Sequence, residues 1–146
     1  MMKVKSIIAA VVLAVAGLCF TGCNEDDSNV AWSCIADISA MHLVGSPDAL
    51  GWNDSAPTLN YSNGSYYYDF VSKDNDTEGV TEFKLKTTGT WDLCYGNKEI
   101  KPGAEPVKLD KGKVGNTKLS IEPGKKVRVK YTVQGLDVFV QAVEIN

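Results

Sequence analysis

The stretch "KVRVKYTVQGLDVFVQAVEI", residues 126–145, decides the fold class of this chain. Apolar and polar side chains alternate through it, and residues two apart share one face of a strand. The period of two predicts strands at 126–133 and 137–145, joined by the turn sequence "VQGLD". Val129, Tyr131 and Val133 fall on one face of the first strand, and we expect them in the core.

The same period recurs along the chain between short turn sequences such as "SNGS", "TTGT" and "EPGKK". No stretch of ten residues carries the apolar stripe of a helix. This pattern predicts an all-β fold, an immunoglobulin-like antiparallel β-sandwich with a barrel as the alternative. The further predicted strands are "AMHLVG" (40–45), "SYYYDFVS" (65–72), "TEFKLKT" (81–87) and "TKLSI" (117–121).

Alternation also assigns faces within the segment "TEFKLKT". Phe83 and Leu85 fall on one face and become core candidates. Lys84 falls on the other face, where its ammonium should be free to meet a ligand or water.

The N-terminus has the pattern of an export signal. Lys3 and Lys5 precede an apolar run that is too short to span a bilayer, and the run ends in Thr21-Gly22-Cys23. This ending resembles a bacterial lipobox, in which cleavage occurs before a lipid-linked cysteine. The alternative is an ordinary signal peptide followed by a chance cysteine.

The organisation that follows from the lipobox has three parts. Residues 1–22 are the lipoprotein signal peptide, residues 23–33 are the lipidated Cys23 and a tether, and residues 34–146 are one β-sandwich domain. The acidic run "NEDDS" after Cys23 resembles the tag that sends Bacteroidetes lipoproteins to the outer face of the outer membrane. Acidic linker composition is the alternative explanation. We therefore expect a lipid anchor in the outer membrane and a domain that faces the cell exterior.

Charge argues against nucleic acid as a partner. The whole chain has a formal net charge of −3, and both basic residues of the signal peptide leave with it. The mature chain then carries 13 basic against 18 acidic residues. Binding to phosphates requires a concentrated positive face instead.

Motifs of catalysis are missing from the sequence. It contains no G-x-S-x-G elbow, no P-loop and no H-E-x-x-H helix, and His42 is its one histidine. We therefore predict no catalytic residues and no cofactor, and a structural or solvent-facing role for His42.

A metal site is not predicted either. The segment "DNDTEG" (74–79) resembles the first half of an EF-hand loop, but Leu85 stands where the closing glutamate should be. A polar hairpin turn is the better interpretation. After cleavage, Cys34 and Cys94 remain for one disulfide, and the sequence leaves their pairing open.

Ordered motifs in the first two thirds of the chain carry a family resemblance. "MHLVGSPDALGWNDSAPTLN", "GSYYYDF" and "EFKLKTTGTWDLCYGN" follow one another between residues 41 and 97. The series resembles the carbohydrate-binding domains of the starch-utilisation lipoproteins SusE and SusF of Bacteroidetes. Those domains run from a strand ending in Val-Gly through a Gly-Trp-Asn loop to a Phe-Lys strand, and then to Trp and Tyr-Gly.

The resemblance implies a shallow glycan site made of two aromatic platforms and a lysine. Carried over by position, Trp52 of "GWN" and Trp91 of "TWDLCYG" are the platforms, and Lys84 of "FKL" is the polar contact. The implied ligand is a polysaccharide, starch or a related α-glucan, and the implied partners are an outer-membrane importer and other glycan-binding lipoproteins. The chain departs from the family at Cys94, where a polar residue is expected, and in having one domain instead of a tandem array.

The residues allow a second function of another class. A structural or adhesion module could use the same sandwich to bind protein, because fold alone does not fix function. In that case the two tryptophans should be buried in the core. Exposure of Trp52 and Trp91 would favour the glycan site.

Overall fold

The computed structural model describes residues 35–146. The predicted signal peptide, the lipidation site Cys23, the tether and Cys34 lie outside the described residues. Within residues 35–146, no helix has the length and apolar character that crossing a membrane requires.

The described residues form eleven strands in two sheets. Most strands pair antiparallel, and the exception is the parallel pair β6 and β9. The prediction of an all-β antiparallel sandwich is confirmed. The strands are β1 (His42–Gly45), β2 (Asn60–Ser62), β3 (Ser65–Val71), β4 (Val80–Lys86), β5 (Cys94–Gly96), β6 (Glu99–Ile100), β7 (Val107–Lys108), β8 (Asp110–Gly112), β9 (Thr117–Ser120), β10 (Lys126–Gln134) and β11 (Asp137–Glu144).

The first sheet has six strands, with β4 at its centre. Leu85 of β4 is in register with both Leu43 of β1 and Tyr95 of β5, so β1 and β5 flank β4 on opposite edges. Phe83 is likewise shared by β1 and β9, which places β9 on the same edge as β5. β8 extends the sheet beyond β5, and β6 extends it beyond β9.

The second sheet has five strands in the order β2-β3-β10-β11-β7. Its centre is the long pair β10 and β11, which runs in register from Val127 and Glu144 to Gln134 and Asp137. β3 pairs along the other edge of β10. The hairpin from residue 126 to residue 144 therefore organises this sheet, as its alternation predicts.

The core lies between the two sheets. Phe83 of β4 meets Phe70 of β3 edge to face, with 5.7 Å between ring centroids. Burial of such side chains removes apolar surface from water and is the main stabilising contribution to a sandwich. Of the predicted core residues, Phe83, Leu85, Val129 and Tyr131 are fully buried, whereas Val133 is half-buried near the end of β10.

The polar hairpin turn predicted at "DNDTEG" is present, closed by an antiparallel bridge between Asp74 and Thr81, but it is confined to this segment. Within the turn, the Gly79 amide donates to Asp74 Oδ1 at 3.1 Å. However, the strands on its two sides, β3 and β4, belong to different sheets. The turn therefore carries the chain from one layer of the sandwich to the other.

Candidate functional site

Trp52 and Trp91 come together at one end of the first sheet. Trp52 lies in the loop between β1 and β2, and Trp91 lies in the loop between β4 and β5. Because β1 and β4 are antiparallel neighbours, the end of β4 lies beside the start of β1. The loop that carries Trp52 comes back to the same place, since Thr58 near its end forms a bridge with His42. The two indoles line one shallow cavity of about 200 Å³, together with Asn53, Asp54, Lys86 and Gly89.

The Trp52 loop is fixed by short-range hydrogen bonds. The Gly45 amide donates to Gly51 O at 2.9 Å, and Gly51 adopts a positive φ of 79° that closes the turn before Trp52. Asn53 then accepts a hydrogen bond on Oδ1 from the Ser55 amide at 2.8 Å, as in an Asx turn. The indole is therefore held on an ordered loop.

His42 connects the two loops of the cavity. Its Nδ1 lies 2.8 Å from Ala56 O, and its Nε2 lies 2.8 Å from Thr88 Oγ1. A carbonyl oxygen only accepts, so Nδ1 donates, and in a neutral imidazole Nε2 then accepts from the Thr88 hydroxyl. His42 is half-buried with both ring nitrogens bonded, which agrees with the structural role expected for it.

Asp54 makes a second connection between the same loops. One carboxylate oxygen accepts from the Lys86 ammonium, and the other accepts from the Gly89 amide at 2.8 Å. The Lys86 ammonium also donates to Thr87 O at 3.1 Å. The hydrogen bond from Lys86, supported by that from Gly89, holds the pKa of Asp54 below its usual value.

Lys86 lies beneath the cavity and is largely shielded from solvent. Its side chain is only 3% exposed, whereas that of Asp54 is 40% exposed. An ammonium so far from water needs partners for its charge. Asp54 and Thr87 O supply them, and the Trp91 ring centroid lies 4.8 Å from Lys86 Nζ.

Trp91 is the more exposed of the two tryptophans. It is 43% exposed, and Trp52 is half-buried. Both lysines that approach Trp91 project from the same face of β4, two residues apart, so they contact the indole from the side of the sheet. The exposed part of the ring can receive a flat ligand from solvent.

Lys84 lies on the face of β4 that alternation predicts and approaches Trp91, but its ammonium is not free. Its Nζ donates to Val114 O at 3.0 Å, which differs from the expected free ammonium, and lies 5.1 Å from the Trp91 centroid. Lys84 is absent from the lining of the cavity that Trp52 and Trp91 share. Lys86, two residues further along β4, lines that cavity instead.

Cys94 follows the Trp91 loop and is fully buried. Its Sγ lies 3.4 Å from Trp91 O, a weak donor contact to the backbone of Trp91. Burial raises the pKa of the Cys94 thiol, which makes it a poor nucleophile. Its proposed partner Cys34 lies outside the described residues, so the disulfide stays a prediction.

The side chains that line the cavity define the chemistry available in it. Within residues 35–146, no group of three or more His, Cys, Asp and Glu side chains is placed to hold a metal ion. The cavity offers two indole faces, the side-chain amide of Asn53 and the carboxylate of Asp54. A ligand with an apolar face and a rim of hydroxyl groups matches this set.

Comparisons with protein families, with curated proteins and with solved structures find no match for this chain.

Proposed function

We propose that this chain is a non-catalytic cell-surface lipoprotein that binds polysaccharide. The favoured ligand is starch or a related α-glucan, which the protein holds for a neighbouring importer. The observation that carries the proposal is the pair Trp52 and Trp91, which line one shallow cavity from two loops joined by Asp54.

The chemistry of a sugar ring supports this assignment. Pyranose rings present apolar C–H faces and a rim of hydroxyl groups, and an indole offers the largest flat apolar face among the side chains. Asn53 and Asp54 provide hydrogen-bonding groups at the edge of the cavity. Each such hydrogen bond contributes about 1 kcal/mol, since bonds to water are exchanged.

Binding at one such site should be weak. A shallow cavity makes few contacts to offset the lost freedom of association, so we expect a Kd between about 10 µM and about 1 mM. A lipid anchor at Cys23 would display many copies on one membrane. Polymeric glycan would then be retained through avidity without any new contact.

The test is calorimetric titration of the full chain with maltoheptaose. Trp52→Ala and Trp91→Ala should each abolish measurable binding and leave the melting temperature nearly unchanged. Tyr61→Ala is the matched control, because Tyr61 is a 64% exposed aromatic residue on the other sheet. Binding that survives both tryptophan substitutions would refute the site.

Stability separates this function from the alternative, a structural or adhesion module that binds protein. If Trp52→Ala or Trp91→Ala lowers the free energy of unfolding by about 3 kcal/mol or more, that ring is a core residue. Binding of an unrelated polysaccharide with α-glucans inert would keep the site and refute only the starch assignment.

A further inference from the structure

A second cavity lies on the other sheet, on the face turned away from the core. It measures about 160 Å³. Its position on β2, β3 and β10 separates it from the tryptophan cavity, which the first sheet and its loops form. The lining residues are Ser62, Asn63, Ser65, Tyr67, Arg128 and Lys130.

The register of the second sheet places these side chains together. Ser62 pairs with Ser65 across the tight turn at Asn63 and Gly64, which both have positive φ. In the next row of the same face, Tyr67 is opposite Lys130. Their neighbours Tyr66, Tyr68, Val129 and Tyr131 alternate with them and pack toward the core.

Arg128 is fixed in place by two contacts. Its Nε and Nη2 donate to the two carboxylate oxygens of Asp69 at 2.7 and 2.8 Å. Its guanidinium carbon lies 4.5 Å from the ring centroid of Tyr67. The guanidinium covers one face of this ring, so that face is closed to a stacked neutral sugar.

Lys130 leaves the cavity with an uncompensated positive charge. Asp69 balances Arg128, and among residues 35–146 the ion pairs do not include Lys130. No carboxylate lines the cavity. The side chains of Ser62, Asn63 and Ser65 add hydroxyl and amide groups at its rim. The cavity therefore presents one net positive charge beside a row of neutral hydrogen-bonding groups.

We propose that this cavity binds an acidic sugar residue, one that carries a carboxylate on a polyhydroxylated ring. The carboxylate pairs with the Lys130 ammonium and with the Nη1 of Arg128 that Asp69 leaves unused. The ring hydroxyls bond to Ser62, Asn63 and Ser65. A simple inorganic anion would satisfy the charge but would leave these neutral groups without ligand partners.

The experiment follows backbone amide shifts of the full chain during titration with glucuronate, glucose and sulfate. Glucuronate should shift the amides of residues 62–67 and 128–130, glucose should not, and sulfate should bind more weakly. Raising the salt concentration from about 50 mM to about 500 mM should weaken the binding of glucuronate.

Two lysine variants make the test specific. Lys130→Met should weaken glucuronate binding about tenfold or more, as loss of a charge-assisted contact does. Lys126→Met is the matched control, because Lys126 lies on the same strand and the same face but outside the cavity. It should bind as the parent does.

Three results would overturn the proposal. Equal shifts with glucose would show that the carboxylate is not recognised. Equal affinity for sulfate would show that the cavity binds anions in general and does not select an acidic sugar. The absence of shifts at residues 62–67 would show that glucuronate does not bind in this cavity. Trp91→Ala should leave glucuronate binding unchanged, so the outcome does not depend on the glycan site of the first sheet.

Discussion

The carboxylate of Asp54 accepts a hydrogen bond from the Lys86 ammonium. This contact joins the loop of Trp52 to β4, the strand that leads into the loop of Trp91. The two residues are far apart in sequence. Their contact, together with the hydrogen bond from the Gly89 amide, connects the two loops before any ligand binds. A site prepared in this way loses less conformational freedom when it binds.

Asp54→Asn should weaken α-glucan binding about threefold to tenfold, the effect of ordering one or two more side chains on binding. Asp48→Asn is the matched control, because Asp48 lies in the same loop and pairs with Lys73 at the exposed surface. Calorimetry on both variants gives the comparison. Equal loss in the two variants would show that the Asp54 contact does not organise the cavity.

Acid should weaken the fold through Asp54 and Asp69. The pKa of each is lowered, for Asp54 by its hydrogen bond with Lys86 and for Asp69 by its hydrogen bonds with Arg128. A lowered pKa adds stability that is fully present above the unfolded value of about 3.9 and is lost as pH falls through the folded value. The melting temperature should therefore fall on acidification below about pH 4.

Asp54→Asn removes one of these two groups and should flatten the acid limb of that profile, whereas Asp48→Asn should leave it closer to that of the parent. Thermal melts across the acid range measure both. An unchanged acid limb in Asp54→Asn would mean that the Asp54 carboxylate is no more stabilised in the folded chain than in the unfolded chain.

Lys86 should matter more for glycan binding than Lys84. Lys86→Met removes an ammonium that lines the cavity and leaves Asp54 with only the Gly89 amide as partner, so we expect about tenfold weaker binding. Lys84→Met removes a bond to Val114 O outside the cavity and should change affinity little. Calorimetry distinguishes the two. A larger loss in Lys84→Met would restore the role that the family resemblance implies for Lys84.

The longer strands could be predicted from sequence because the period-two pattern repeats several times within each of them. The predicted segments agree with β1, β3, β4, β9, β10 and β11 to within two residues at either end. Strands β2 and β5 to β8 have only two or three residues each, too few for a period to show. Their position depends on pairing with distant partners.

In the candidate site, too, the features that depend on local sequence could be predicted and those that depend on distant contacts could not. Alternation correctly placed Lys84 and Lys86 on one face of β4, but the choice between them rests on Asp54, which a distant loop brings to Lys86. No local pattern encodes that meeting. Burial of Lys86 likewise results from the loop that covers it, whereas a strand position alone predicts a solvated lysine.

Gly45→Ala should destabilise the fold by about 1–3 kcal/mol, the range for overpacking. A Cβ at Gly45 would lie 2.7 Å from Glu82 O and 2.8 Å from Phe83 Cβ, so β1 would have to move away from β4. Gly115→Ala is the control, since the nearest atom to its Cβ would be Asn97 Oδ1 at 3.4 Å. Urea unfolding measures both, and equal stability would show that β1 yields without cost.

Anchoring at Cys23 gives the last prediction, which concerns retention of polymer by the cell. Signal pattern, small residues and cysteine coincide at Thr21-Gly22-Cys23, so the mature chain should begin at a diacylated Cys23. Cys23→Ala should release or mislocalise the protein, and Cys19→Ala, inside the apolar run, should not. Mass spectrometry of the mature N-terminus decides the point, and an unmodified start further along the chain would contradict it. Because single sites bind weakly, a released protein should also fail to hold α-glucan on the cell even with Trp52 and Trp91 intact.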